Sequence, residues 1–416
     1  MRRPLSLALG AGLAAGLVAV PGIAAADLGL GPVEQVSAPG IPSGTPRIAA
    51  GADGQAWAAF TSVDSSTGET TVQVTERRGA LGWAAPTILS RRGVEASAPT
   101  VAANGQGDAC VSWVEESWAH RRLQVSCHTS TGWASATALG PLAARIDEVA
   151  LVVADSGDAV VAFTAVSAGL SAELLHAARS TGGRWSTSSA IDVANLELDS
   201  IRDVHVAITG DDVAGVVWCR DASVLSSTAG PSGVWTPTEV EYAGEATAVA
   251  AGSIDDRLVV AWAADNVVAF NELGPASRAP TSATLSADVE KLALVPLESG
   301  VVVFALDTEG YARAMAVDAS GAASRLDLGA ASAGLVLSRS GSGIDVALLD
   351  DNFGVVLTTL MVDGFPSLGD MEAVSTDRSA EVALSNSQAH LVWVDEESPS
   401  SVRAASTVDD RPDLER

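Results

Sequence analysis

The sequence predicts an all-β protein, an eight-bladed β-propeller of four-stranded blades, closed by an N-terminal strand that completes the last blade. Three observations lead to this prediction. A unit of four short strands recurs along the chain, an aromatic residue recurs in the second strand of that unit, and the last unit stops before its fourth strand. A small sheet with two apolar faces is stabilised when it stacks radially on copies of itself, as the blades of a propeller do.

The second copy shows the unit most clearly. It predicts strand A at 99–103, a tight turn at 104–108, strand B at 109–114, strand C at 123–128 and strand D at 132–139. The turn reads Asn104-Gly105-Gln106-Gly107, residue types that adopt the backbone conformations of short hairpin connections. A single domain is predicted over 27–408, with repeats that start near 45, 98, 147, 203, 246, 288, 332 and 379.

Aromatic residues mark the copies. The strand B aromatics are Phe60, Trp113, Phe163, Trp218, Trp262, Phe304 and Trp393. Neighbouring copies are 42 to 55 residues apart, and a gap of 89 covers the seventh copy, which lacks this aromatic. Four copies carry a tryptophan at the start of strand D: Trp83, Trp133, Trp185 and Trp235. Spacings of this size are typical of units of four strands.

The two ends of the chain complement each other. The eighth copy supplies strands A to C at 380–384, 390–394 and 402–406 and then lacks a strand D. The segment 30–37 near the N-terminus is similar to the strand D segment 84–90. The N-terminal strand is therefore predicted to complete the last blade.

Two segments carry a family resemblance. Gly82 to Ser90 followed by Pro99 to Ala102, and Gly157 to Phe163, resemble the repeat of secreted bacterial β-propeller proteins of the actinobacterial type. The resemblance covers nearly all of 27–408. It implies the fold and export, but no particular activity, because propellers carry many different functions.

The first 26 residues predict a secretion signal. Arg2 and Arg3 precede an apolar core from Leu5 to Val20, and the small residues that follow suit cleavage before Asp27. The arginine pair leaves a twin-arginine signal as an alternative to general secretion. No later apolar run reaches the length of a membrane span, so we expect no membrane insertion. The protein is predicted to be secreted, extracellular or associated with the cell envelope. A short polar tail is predicted at 409–416.

Charge excludes one class of partner. The chain has 24 basic and 51 acidic residues, a formal net charge of -27. Binding to nucleic acid or to an anionic membrane needs clustered Lys and Arg, and so many carboxylates repel phosphates. No nucleic-acid partner is expected.

The three cysteines have different expected roles. Cys110 and Cys127 lie equally far from a turn centred on Trp118 and Ala119, so they face each other in strands B and C. Export makes a disulfide between them the favoured prediction, with two buried thiols as the alternative. Cys219 is predicted to be a small apolar core residue.

No catalytic residues are predicted. The five histidines are scattered over different copies, with His120 and His128 in the same one, and the sequence contains no Gly-x-Ser-x-Gly, His-Glu-x-x-His or Cys-x-x-Cys motif. Sialidases are also secreted propellers, and Tyr242 with Glu239, Glu241 and Glu245 keeps that alternative open. The Ser-x-Asp-x-Gly boxes of that family are absent from the sequence, however.

Acidic residues recur in the turns between strands B and C, which share one face of a propeller. The predicted carboxylate rim contains Asp64, Glu115, Glu116, Asp221, Asp265, Asp307, Asp350 and Asp395. Converging carboxylates can bind Ca²⁺ or attract a basic partner. The alternative is that these acids keep a chain rich in Ala and Val in solution.

One of these turns is different from the others. Trp118 occupies no repeated core position, and a basic pair, Arg121 and Arg122, follows it. An exposed Trp can stack on a sugar ring or anchor a protein, whereas the alternative is packing over the next blade. The sequence therefore favours a non-enzymatic recognition scaffold for a protein or a glycan, with Ca²⁺ as a candidate ligand and no other cofactor. A sialidase-like or other glycoside-acting enzyme and a structural module of the cell envelope are the alternatives.

Overall fold

The computed structural model describes residues 34–51, 55–118, 120–167, 172–196, 199–254, 256–273, 280–297, 300–318, 323–331, 334–340, 343–349, 354–361, 367–368, 372–375, 381–385, 388–395 and 401–406. The predicted signal at 1–26 and the polar tail at 409–416 lie outside the described residues.

The first half of the chain forms one short strand and four sheets. The short strand is β1 (Glu34–Gln35). Sheet 1 contains β2 (Ser43–Ala50), β3 (Gln55–Val63), β4 (Thr70–Arg78) and, after a 3-10 helix at Gly79–Leu81, β5 (Thr87–Ile88). Sheet 2 contains β6 (Glu95–Ala103), β7 (Ala109–Ser117), β8 (His120–Thr129), β9 (Gly132–Trp133) and β10 (Thr137–Ala143). Sheet 3 contains β11 (Arg145–Val153), β12 (Ala159–Val166), β13 (Ala172–Thr181), β14 (Arg184–Trp185) and β15 (Ser189–Asn195). Sheet 4 contains β16 (Ile201–Ile208), β17 (Ala214–Arg220), β18 (Ser223–Ala229) and β19 (Glu239–Tyr242).

The second half supplies the remaining strands. Sheet 5 contains β20 (Ala248–Ile254), β21 (Arg257–Ala264), β22 (Val267–Glu272) and β23 (Thr281–Thr284). Sheet 6 contains β24 (Val289–Leu297), β25 (Gly300–Asp307), β26 (Tyr311–Asp318) and β27 (Ala323–Ala330). Sheet 7 contains β28 (Gly334–Ser340), β29 (Gly343–Leu349), β30 (Gly354–Met361), β31 (Ser367–Leu368) and β32 (Glu372–Ser375). The last strands are β33 (Glu381–Ser385), β34 (Gln388–Asp395) and β35 (Ser401–Ser406).

All the sheets are antiparallel, and most consecutive strands within a sheet are hydrogen-bonded neighbours. The exceptions share one partner: β9 and β10 both pair with β8, β14 and β15 with β13, and β31 and β32 with β30. The strands of the described residues form eight sheets, each of four or five strands. Sheet 8 consists of β33, β34 and β35 together with β1, which pairs with β35 from the other end of the chain. In this pair Glu34 lies opposite Ala404 and Gln35 lies opposite Arg403. This all-β arrangement of small sheets is that of a β-propeller.

The core lies between neighbouring sheets. Side chains alternate between the two faces of a strand, so each sheet has one face toward the preceding sheet and one toward the next. The predicted strand B aromatics of the first six sheets are buried there: Phe60, Trp113, Phe163, Trp218, Trp262 and Phe304. Trp57 and Trp113, for example, belong to one apolar cluster between sheets 1 and 2.

Strand D packs against the strand B aromatic of the next sheet at one repeated position, seven residues after the strand D tryptophan. A Cβ on Gly140 would lie 2.6 Å from Cζ of Phe163. The indole Nε1 of Trp218 donates to Asp192 Oδ2 at 2.7 Å. The rings of Tyr242 and Trp262 stack with their centroids 5.7 Å apart. In these three sheets the strand D residue at this position therefore lies against the strand B aromatic of the next sheet.

The predicted disulfide is confirmed. Cys110 and Cys127 lie opposite each other in β7 and β8, and their sulfur atoms are bonded at 2.05 Å. Cys219 is a buried free thiol. None of the described residues belongs to a helix that is long and apolar enough to cross a membrane.

Candidate ligand-binding site

The hairpin of β7 and β8 places several polar side chains on one face of sheet 2. Three cross-strand pairs stand in a row along this face: Trp113 with Gln124, Glu115 with Arg122, and Ser117 with His120. Because successive side chains of a strand alternate between faces, all six share the face that Trp113 buries against sheet 1. Beyond Trp113 this face turns from apolar to polar toward the end of the hairpin.

A cavity of about 450 Å³ lies where the polar part of this face meets sheet 1. Its polar walls are Arg91, Glu115, Ser117, His120, Arg122 and Gln124. Its apolar walls are Leu89 and Val94, from the connection between the two sheets, and Ala136, Ala138 and Leu142 of sheet 2. The volume falls within the range of small-molecule sites, which are concave and combine apolar walls with a few polar groups.

Glu115 is a fixed part of this wall. The backbone N–H of Arg91 donates to its Oε1 at 3.1 Å, and the Gln124 amide donates to its Oε2 at 3.2 Å. The guanidinium of Arg91 lies 3.8 Å from the same carboxylate. Both carboxylate oxygens are therefore engaged, and Glu115 connects the loop from sheet 1 to sheet 2.

Arg122, unlike its cross-strand neighbour Glu115, has a buried polar atom without a hydrogen-bond partner among the described residues. The residue is partly buried, and the atom is its Nε. A buried donor without an acceptor is uncommon in folded proteins. Arg122 also lines the cavity, and its guanidinium brings a positive charge to that wall.

Trp118 stands at the edge of the cavity. It occupies the turn between the lining residues Ser117 and His120, and 98% of its surface is exposed. Leu142, a lining residue on the opposite edge strand, is 55% exposed. The predicted alternative for Trp118, packing over the neighbouring sheet, does not occur.

The corresponding place between sheets 3 and 4 is filled. Arg220 occupies the position two residues after the strand B aromatic, as Glu115 does in sheet 2. Arg220 Nη1 donates to Asp192 Oδ1, and Asp192 also accepts from the Trp218 indole. The cavity next to sheet 2 is therefore not a general consequence of the repeat.

Three acids of the predicted rim have roles in their own turns. Asp64 accepts hydrogen bonds from the hydroxyl and backbone N–H of Ser66, which lower the pKa of its carboxyl group. Asp221 and Asp265 stand in two-residue hairpin turns with φ of 49° and 51°. Asp is among the few non-glycine residues that tolerate this left-handed conformation. Turn geometry thus accounts for these three residues.

The other rim acids are separated as well. Asp307 is 1% exposed and accepts from the Tyr311 N–H at 2.8 Å and from Arg313 Nε at 2.9 Å. Glu116 pairs with Arg121 at 3.1 Å, on the face of sheet 2 opposite Glu115. Asp395 ends β34, and Asp350 lies outside the described residues. Of the predicted site residues that the structure describes, Glu115 lines the cavity and Trp118 stands in the turn at its edge.

Two other predicted chemistries can be compared with the geometry. Within the described part of the chain, no group of three or more His, Cys, Asp or Glu side chains is arranged to hold a metal ion. Tyr242 packs its ring on Trp262, and Glu241 accepts a hydrogen bond from the Ser226 hydroxyl at 2.6 Å. Burial raises the pKa of Glu241. Tyr242 is thus a core residue between sheets 4 and 5.

Several lining residues were not found from the sequence. Gln124 could have been found, because the turn centre that pairs Cys110 with Cys127 also pairs Gln124 with Trp113. Leu89, Arg91 and Val94 had no comparable signal, since they lie in an irregular connection. Their place in the wall depends on how sheet 1 packs against sheet 2.

Comparisons with known proteins establish the fold. No protein-family model and no curated protein sequence matches the chain. The Dos1 propeller superposes with a TM-score of 0.50 and 10% identity, over 90% of this chain and 95% of that one. An α-L-arabinofuranosidase from Fusarium graminearum has a TM-score of 0.41 and 10% identity, over 70% of this chain and 94% of that one. The Aleuria aurantia lectin has a TM-score of 0.38 and 13% identity, over 83% and 99%. At these identities the likeness is one of fold alone, and the chain has the fold of a β-propeller.

Proposed function

We propose that this protein is an exported, non-enzymatic recognition propeller that binds a glycan in the cavity between sheets 1 and 2. The observation that carries the proposal is the pairing of a polar cavity of about 450 Å³ with a fully exposed tryptophan at its edge. Trp118 fills no position of the repeated core, and in the free protein the apolar surface of its indole is exposed to water. A ligand that covers the indole buries that surface.

The chemistry of the walls favours a sugar. Sugar hydroxyls both donate and accept, and the cavity offers the guanidinium of Arg122 as a donor and the Ser117 hydroxyl as a donor or acceptor. The C–H faces of a sugar suit an indole and aliphatic walls such as Leu142. A protein partner would instead need roughly 800 Å² of contact surface on each side. Around this cavity only Trp118 and Leu142 are exposed large apolar residues among those described.

The proposal includes a closed ring of eight blades. The pairing of β1 with β35 supports it, because this pairing gives sheet 8 its fourth strand. An apolar cluster that joins Val36, Val392 and Val402 to Phe60 supports the packing of sheet 8 on sheet 1. Export is supported by the predicted signal and by the Cys110–Cys127 disulfide, since disulfides persist in oxidising compartments.

A glycan array followed by calorimetry on the best ligand tests the function. Trp118→Ala should weaken binding at least about tenfold, because buried aromatic anchors contribute about 2 kcal/mol or more at binding sites. Tyr311→Ala is the matched control, since Tyr311 is an exposed aromatic in sheet 6, away from the cavity. Absence of any glycan ligand, or equal losses in both variants, would refute the proposed function.

The same titration, run in EDTA and in Ca²⁺ at equal ionic strength, tests calcium as a cofactor. A glycan affinity that rises saturably with Ca²⁺ would support a calcium site at the acidic rim. The same affinity in both buffers would leave the rim acids with their turn and solubility roles.

A further inference from the structure

We propose that the cavity selects acidic glycans, that is, sugars whose carboxylate group pairs with Arg122. This inference rests on the proposed glycan-binding function and adds the class of ligand. It follows from the balance of charges among the lining residues and from the planar guanidinium of Arg122.

The charge available to a ligand in this cavity is positive. Glu115 is the one acid among the lining residues, and both of its oxygens already accept hydrogen bonds from Arg91 and Gln124. The guanidinium of Arg91 lies beside this carboxylate, so the positive charge of Arg91 is largely compensated. No ion pair joins Arg122 to an acid within the described residues, although Glu115 is its cross-strand neighbour. In a chain of net charge -27, an uncompensated arginine in a cavity is unusual.

The geometry of arginine narrows the ligand further. Arg122 lines the cavity and forms no ion pair with an acid among the described residues, so its guanidinium is the cationic group that a ligand meets there. The guanidinium is a planar fork whose parallel N–H bonds match the two oxygens of a carboxylate. A neutral sugar hydroxyl satisfies one donor and leaves the charge uncompensated. A carboxylate satisfies both the donor and the charge.

The apolar part of the site leaves room for the remainder of such a sugar. Arg122 lies two residue pairs further from the turn than His120, and Trp118 lies in the turn itself. In this proposal the ring lies against Leu142 with its carboxylate toward Arg122, and the exposed indole is free to cover it. The specificity resides in Arg122, and the general affinity for sugars resides in the exposed apolar groups.

Calorimetry with two oligosaccharides of equal length tests this inference: an oligogalacturonide and the corresponding neutral galacto-oligosaccharide. Arg122→Gln should lower the affinity for the acidic oligosaccharide about tenfold or more, since hydrogen bonds between charged groups are the strong ones. Binding of the neutral oligosaccharide should fall by a much smaller factor, because the substituted amide still donates a hydrogen bond to a sugar hydroxyl. Arg184→Gln is the matched control, because it removes the same charge at an exposed site in sheet 3.

Arg122→Lys provides a second variant that keeps the charge and removes the fork. It should retain the melting temperature of the wild type and still lose affinity for the acidic oligosaccharide. An acidic oligosaccharide that binds Arg122→Gln as tightly as wild type would overturn the inference.

Two further outcomes separate this inference from the function on which it rests. In the first outcome, neutral sugars bind best, Trp118→Ala weakens their binding and Arg122→Gln does not. This result would overturn the assignment of acidic glycans as the ligand and leave glycan binding intact. A sulfated oligosaccharide that binds more tightly than the carboxylated one would overturn the carboxylate assignment. If no oligosaccharide binds, the proposed function itself fails, and the inference fails with it.

Discussion

Cys219 shows how burial controls the chemistry of a single side chain. Its thiol is fully enclosed, and burial raises its pKa to about 11. Only the thiolate is nucleophilic, so a thiol with this pKa is inert at neutral pH. The other two cysteines are joined in the disulfide of sheet 2.

Thiol titration at pH 8 should therefore give three different counts. We expect no reactive thiol in the native protein, one after denaturation without reductant, and three after reduction. Three thiols without reductant would contradict the disulfide. Rapid labelling of the native protein would show that sheet 4 opens at Cys219.

His390 links stability to pH. Burial, with a smaller effect of Arg77, lowers its pKa to about 4, and its Nδ1 lies 2.8 Å from the Ser406 hydroxyl. An unfolded histidine has a pKa of about 6.5. As the pH falls from about 6.5 toward 4, the unfolded chain binds a proton at this position and the folded chain does not. Stability from this residue is therefore complete above pH 6.5 and decreases on acidification.

Urea unfolding at pH 7.5 and pH 5 tests this linkage. Wild type should lose about 2 kcal/mol more than His390→Gln between the two pH values. His120→Gln is the control, because His120 is exposed in the hairpin of sheet 2. If His390→Gln has the same pH dependence as wild type, His390 is protonated in the folded protein at pH 5.

At the scale of the element, strand D is the place where one sheet is fitted to the next. Gly140, Asp192 and Tyr242 occupy equivalent positions and meet Phe163, Trp218 and Trp262. The residue that each sheet carries there depends on the aromatic of its neighbour. Inter-sheet packing thus constrains a strand that is otherwise exposed.

Gly140→Ala should be strongly destabilising. Gly140 has a φ of +71°, and its Cβ would lie 2.6 Å from Phe163 Cζ, so the variant combines backbone strain with a clash. Gly68→Ala is the control, because Gly68 has a φ of +78° and open space around it. Strain should cost both variants about 1 kcal/mol, and the clash should cost Gly140→Ala about 2 kcal/mol more. Equal unfolding free energies would mean that Phe163 moves aside without cost.

At the scale of the whole molecule, the two ends of the chain meet in one sheet. The Val36 N–H donates to the Val402 carbonyl at 3.0 Å, and the Ser37 hydroxyl accepts from the Val402 N–H at 3.0 Å. Val36 is 3% exposed, in the cluster that also contains Phe60 of sheet 1. The segment that follows β1 therefore connects sheets 8 and 1.

Val36→Ala should lower the free energy of unfolding by about 2 kcal/mol, through lost burial and the cavity left behind. Val234→Ala removes the same atoms from a side chain that is 72% exposed, and it should change stability by less than about 0.5 kcal/mol. Urea unfolding measures both. Equal effects would mean that the junction of the chain ends contributes little to the stability of the fold.

Much of the local structure was accessible from the sequence. The strand B aromatics, the tight turns and the Cys110–Cys127 pair each depend on spacing within one unit, where strand periodicity determines which residues face each other. The candidate site was accessible in part. Trp118 stood out because the repeat does not require it, whereas Arg91 and Leu89 carry no such signal.

By itself the sequence determined the repeated unit, the pairing of strands within it and the acidic character of the chain, because these depend on local order and composition. Only the tertiary structure showed which acids stabilise their own turns. It also showed that Asp307 is enclosed with Arg313 and that a cavity opens beside Arg122. The physical reason is that these features depend on the fit between neighbouring sheets. That fit depends on contacts between residues about fifty positions apart in the sequence, such as the hydrogen bond from the Asn104 side chain to the Ala154 carbonyl. The alternation of side chains along a single strand does not predict such contacts.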